Sequence, residues 1–219
     1  MMKLQPKRVT LFSGHYGSGK TNIAVNYAMQ MARDGLPVTI ADLDIVNPYF
    51  RTKDSAEDLA AAGIRLISSA YANSNVDLPA LPAELYALTN DKSRYAVLDV
   101  GGDDRGALAL GRYAPAILEE GNYENIFVAN FYRPLTPVAE DALAVMREIE
   151  AAGGIPFTAI AHNSNLGVET EAEDVLAMEG EAKRLSELAS LPILFTAADA
   201  RIACEIPEAF PLSLQKKIT

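Results

Sequence analysis

Seven short apolar runs punctuate the chain, at residues 9–12, 38–42, 64–68, 96–100, 126–130, 157–162 and 193–196. Each reads as apolar on both faces, the pattern of strands in a parallel sheet that is covered on both sides. Between them lie longer segments with apolar residues at helical spacing, at 20–33, 55–62, 80–89, 107–119, 137–152 and 171–188. The alternation predicts a doubly wound α/β fold with a mostly parallel sheet of about seven strands, in one domain spanning 1–219. Ligands of such sheets sit beyond the carboxyl ends of the strands. The loop at 70–78, rich in Asn and Ser, is the segment expected to move.

Composition narrows the functions open to this fold. With 219 residues, 49% of them hydrophobic, the chain can bury a sizeable core. Its net charge of −10 argues against a broad surface for nucleic acid or anionic lipid, either of which needs clustered Lys and Arg. Cys204 is the only cysteine, which excludes a disulfide framework and a Cys-based metal site. No apolar run approaches the ~18 residues of a membrane span. MMKLQPKRV at the start does not read as a secretory signal, so a cytoplasmic location is expected.

The first candidate for chemistry is GHYGSGKT, residues 14–21, placed between the first strand and the first helix. Gly14-x-x-x-x-Gly19-Lys20-Thr21 satisfies the phosphate-loop pattern in the context the pattern requires. Chance would produce the match in about 1% of chains this long, before the strand-to-helix placement is counted. Its glycines let backbone N–H groups of Gly14, His15, Tyr16, Gly17, Ser18 and Gly19 turn toward a phosphate, and the helix contributes its partial positive end. Lys20 is then expected to reach the β- and γ-phosphates and Thr21 to offer its hydroxyl to Mg²⁺, with Asn22 beside them.

Two further strand ends carry carboxylates. In Ala41-Asp42-Leu43-Asp44-Ile45-Val46-Asn47-Pro48, Asp42 and Asp44 point the same way if the strand continues. One would hold a Mg²⁺-bound water and the other would orient the attacking water; the alternative is that they cap a strand and open a turn. Tyr95-Ala96-Val97-Leu98-Asp99-Val100-Gly101-Gly102 ends in an acidic group suited to the metal's water shell, then a glycine, Gly102, whose N–H can meet the γ-phosphate.

GHYGSGKT, ADLDIVNP, YAVLDVGG and Ala161-His162-Asn163-Ser164 together resemble the MinD/ParA/CobQ-like nucleotide-binding proteins with the SIMIBI-type phosphate loop. The resemblance spans nearly the whole chain. It implies ATP and Mg²⁺ as ligands, Asn163 as the residue that reads the base, and a switch whose slow hydrolysis is read by a partner protein. The Asp of an Asn-Lys-x-Asp guanine signature is missing, and an amide can pair with adenine N6 and N7, so ATP is expected over GTP. The family's loop carries a Lys that crosses a homodimer to the partner's nucleotide; here His15 stands in its place and Tyr16 replaces a Gly. An imidazole ordinarily titrates near pH 6.5 and is shorter than Lys, so it cannot supply the same charge. Arg51 and Arg105 are the candidates to compensate. The alternative function is an enzyme resembling dethiobiotin synthetase, passing the γ-phosphate to a carboxylate, with Asn73, Asn75, Asn130 and Arg133 as candidates for its pocket.

Overall fold

The computed structural model describes residues 4–43, 55–68, 86–101 and 110–214. Its strands are β1 (Val9–Ser13), β2 (Val38–Leu43), β3 (Arg65–Ser68), β4 (Tyr95–Val100), β5 (Tyr123–Ala129), β6 (Ala159–His162), β7 (Ile193–Asp199) and β8 (Phe210–Leu212). Helices α1 (Lys20–Arg33), α2 (Ala56–Ala61), α3 (Tyr86–Asn90), α4 (Ala114–Glu120), α5 (Ala139–Gly153), α6 (Ala172–Ala177) and α7 (Glu179–Ala189) connect them. The strands form one sheet in the order β3-β2-β4-β1-β5-β6-β7-β8, and every pair is parallel. All seven predicted strands are present; β1, β2 and β6 are buried along their whole length and β4 and β5 over most of it, whereas β3, at the sheet edge, has Arg65 exposed.

Alternation along the strands sorts the core into two layers. Phe12, Ile40, Val97, Ile126, Val128 and Ala161 face α1 and pack on its Ile23, Tyr27 and Met31. Leu11, Ala41, Leu98 and Val100 face the other way onto Tyr113, Ala114 and Ile117. On that second side, Phe127, Ala129 and Ile160 meet Met146 of α5 and Leu185 of α7. β1 lies at the centre of the sheet, with β4 on one side and β5 on the other. The chain leaves β1 toward β2 and later fills the opposite half with β5 to β8, so the carboxyl end of β1 is a topological switch point.

Two differences from the sequence reading have physical causes. β8 was not expected: it has only three residues with Pro211 at its centre, which an edge strand tolerates because one side of its backbone needs no partner. It is held instead by packing, with the Phe210 ring 4.9 Å from Phe195 and 6.2 Å from Tyr27. The helix predicted over 171–188 is two helices that part at Met178. Val175 of α6 packs with Ile202 and Ile206, whereas Leu185 of α7 packs on the sheet, and one straight helix cannot serve both surfaces. Of the predicted helices at 80–89 and 107–119, Tyr86–Asn90 and Ala114–Glu120 are helical; residues 80–85 and 107–109 lie outside the described residues.

Candidate functional site

Residues 14–19 leave the end of β1 and turn directly into α1. Gly17 and Gly19 have φ of +77° and +92°, the left-handed region that costs an L side chain roughly 1–2 kcal/mol. Gly14 is required for a different reason. A Cβ there would stand 2.6 Å from the carbonyl oxygen of Val128 in β5, a backbone atom that cannot swing aside. α1 begins without a side-chain cap and without an acidic residue in its first turn, so its N-terminal N–H groups and their positive potential face the loop. Lys20 and Thr21 open that helix, both buried.

The loop also contains a buried hydroxyl with no hydrogen-bond partner, Ser18 Oγ, 1% exposed as a residue. An orphaned hydroxyl inside a glycine-built cradle, at an uncapped helix start, fits a phosphate group, which supplies the acceptor oxygens the cradle lacks. His15 is folded onto the loop: its Nδ1–H donates to the Tyr16 carbonyl at 2.9 Å. Tyr16 stands out, 50% exposed.

Asp42 of β2 and Asp99 of β4 are directly paired in register, and Phe12 of β1 is the next partner across. Adjacent parallel strands lie about 4.8 Å apart and in-register side chains share a face, so the two carboxylates stand side by side on the α1 face. Both are buried, Asp99 completely. Among the described residues no group of three His, Cys, Asp or Glu could hold a metal unaided. Thr21 with these two carboxylates instead suits Mg²⁺, which takes one or two protein ligands, keeps several waters and draws its remaining oxygens from phosphates. Asp44, Gly102, Arg51, Arg105, Asn73 and Asn75 lie outside the described residues.

On the other side of β1, Asn163 follows β6 and is 2% exposed. Its Nδ2 donates to the Ser18 carbonyl at 2.7 Å, and its backbone N donates to Ala129 O at 2.8 Å. The amide is thus docked on the phosphate loop, with a second Nδ2 hydrogen left over. Asn165 spends its amide on the Asn163 carbonyl and on the Gly167 N–H. Asn130 is a brace: its Oδ1 accepts from Tyr132 N at 3.0 Å and its Nδ2 reaches Asn165 O at 3.4 Å. Arg133 is brought to the loop by folding, its Nε donating to Gly17 O at 2.7 Å, and no sequence spacing could have placed it there.

His162, the residue before Asn163, faces away from this site. It is fully buried, touches the Phe131 ring at 6.0 Å between centroids, and its Nε2 has no partner. Burial pushes its imidazole down to about 4, against a smaller opposing pull from Glu179. The ring is neutral at physiological pH and belongs to the packing beneath α5 and α7.

No family model matches the chain, and no curated protein matches it in sequence. In structure it is similar to the signal recognition particle receptor FtsY of Elizabethkingia anophelis, solved in complex with GDP, with a TM-score of 0.55 and 16% identity over 91% of this chain and 59% of that one. It is similar also to the FtsY of Thermotoga maritima, with a TM-score of 0.60 and 16% identity over 90% and 63%. A third is the signal recognition particle 54 kDa protein of Aeropyrum pernix in complex with GDP, with a TM-score of 0.54 and 17% identity over 90% and 42%. The chain spans less than two thirds of each of these proteins. The likeness is one of fold alone, a parallel sheet covered by helices. No helix among the described residues is long and apolar enough to cross a membrane.

Proposed function

We propose that the chain binds a purine nucleoside triphosphate with Mg²⁺ on residues 14–21, hydrolyses it slowly, and acts as a nucleotide-dependent switch read by a partner protein. The observation that carries this reading is the cradle itself: glycines forced by close approach and positive φ, an orphaned Ser18 hydroxyl, and an uncapped helix start, with paired carboxylates on the next two strands. Lys20 neutralises the β- and γ-phosphates, and Thr21 offers its hydroxyl to the metal. Mg²⁺ held there would supply charge neutralisation to the polyphosphate. Asp42 and Asp99 hold its waters, and Asp44, or failing that Asp42, orients the attacking water.

Between the purines we favour ATP. Guanine's N1–H and N2–H₂ ask for a carboxylate acceptor, whereas Asn163 is followed by Ser164 and by an Asn165 whose amide is already engaged. GDP in two of the structural neighbours belongs to those proteins. Because the His15 ring is bonded to its own loop and is shorter than a lysine, nucleotide-driven dimerisation is weak and basal turnover slow. Phosphate release by the purified chain with ATP and with GTP, alongside mass by light scattering, tests this. Slow release from ATP by a monomer is expected; fast turnover in a tight ATP-dependent dimer at pH 8 contradicts the switch as described.

A further inference from the structure

β1 divides the site. The carboxylates Asp42 and Asp99 lie on the β4 and β2 side, while Asn163 and Arg133 come from the β6 and β5 side. Arg133 sits in the turn between β5 and α5, 116 positions from Gly17 in sequence. That turn is tightly held. Arg133 N donates to Asn130 O at 3.3 Å, Thr136 N returns to Arg133 O at 3.0 Å, and Thr136 Oγ1 donates to Asn130 O at 2.8 Å. Tyr132, next in line, is fixed at its far end by its hydroxyl, which donates to the Asp174 carbonyl at 2.9 Å.

A guanidinium has five N–H donors in a rigid fork. Nε is spent on Gly17 O; the terminal nitrogens have no acceptor and no carboxylate partner among the described residues. This is notable in a chain with 29 acidic and 19 basic residues, where carboxylates are in excess. Loop N–H groups converge inward on a phosphate, so the carbonyls of Gly17 and Ser18 are turned outward. Arg133 and Asn163 hold these two successive carbonyls, and so stand together on the outer wall of the loop, away from the carboxylate end.

We propose that Arg133 is the cation that grips the nucleotide from its nucleoside side: Nε locks the left-handed Gly17, and the free terminal N–H groups serve the α-phosphate and ribose. This rests on the function proposed above. These contacts are common to diphosphate and triphosphate, so Arg133 sets affinity for both. The test is calorimetry of the full chain with Mg·ADP and Mg·ATP, and with Mg·GDP and Mg·GTP, for wild type, Arg133→Ala and Arg133→Lys, together with turnover at saturating triphosphate. Arg133→Ala should weaken diphosphate and triphosphate by the same factor, about tenfold to a hundredfold, the range of charge-assisted contacts. Arg133→Lys should recover only part of the affinity, since one ammonium cannot both hold Gly17 O and present a fork. Affinity for Arg133→Ala equal to wild type overturns the assignment, as does a loss confined to triphosphate or to turnover. Wild type that binds none of the four nucleotides overturns the proposed function and this assignment with it, an outcome distinct from a variant that binds as well as wild type.

Discussion

Gly19→Ala is expected to destabilise the protein through two separable effects. The first is backbone strain: with φ at +92°, an alanine costs roughly 1–2 kcal/mol. The second is a collision, because the new Cβ would lie 2.3 Å from Asn163 Nδ2. Asn163 is buried and tethered by its own backbone to Ala129, so it must give up the 2.7 Å bond to Ser18 O in order to move. Leaving a buried carbonyl and amide unpaired costs about 1–3 kcal/mol. The sum, roughly 2–5 kcal/mol, corresponds to a fall in melting temperature of about 4–20 °C for a chain of this size. Urea unfolding of wild type, Gly19→Ala, Asn163→Ala and the double variant, all without nucleotide, separates the terms. In the Asn163→Ala background the collision is gone, and Gly19→Ala should cost only the strain. If the two changes add to within about 0.5 kcal/mol, Asn163 is not seated against the loop and the reasoning fails.

Two further outcomes follow from particular side chains. His162 is held neutral by burial at about 4, against an ordinary 6.5, so the unfolded chain takes up a proton as pH falls through 6.5 while the folded chain does not. The associated stability is present above pH 6.5 and lost toward pH 4, about 3 kcal/mol in all. His162→Gln should therefore flatten the loss between pH 7 and 4.5 in guanidinium unfolding, and an unchanged pH slope counts against the buried neutral ring. The raised carboxyl of Glu124, also a consequence of burial, changes in the opposite sense and is removed by comparing the two proteins at each pH. Asp99→Asn should raise the Mg²⁺ concentration needed for half-maximal hydrolysis several-fold, with little effect on nucleotide affinity without metal; an identical Mg²⁺ titration would make Asp99 a structural carboxylate.

What the sequence revealed and what it concealed divide along physical lines. The glycine-built turn from β1 into α1 was legible because its requirements are local: Gly17 and Gly19 supply positive φ and Lys20 starts the helix, all within eight positions. The central strands β1, β2, β4, β5 and β6 were legible because burial on both faces leaves an apolar run, and β3 and β7 because their apolar residues are still clustered within a few positions. The pairing of Asp42 with Asp99 was only half legible, since each sits at a readable strand end but their adjacency depends on β4 inserting between β2 and β1. Arg133 and the docking of Asn163 on Ser18 were not, because each joins segments more than a hundred positions apart through single hydrogen bonds, which leave no periodicity. β8 was hidden by its brevity and its proline, being held through Phe210 rather than by a long ladder.

The central claim is that residues 14–21 bind the polyphosphate of a nucleotide, and calorimetry of the purified chain with Mg·ATP and Mg·GTP, beside Lys20→Ala, tests it most directly. Saturable binding at one site per chain is expected, with Lys20→Ala weaker by about tenfold to a hundredfold because a charge-assisted phosphate contact is lost. No binding by wild type, or equal affinity in Lys20→Ala, would contradict the account.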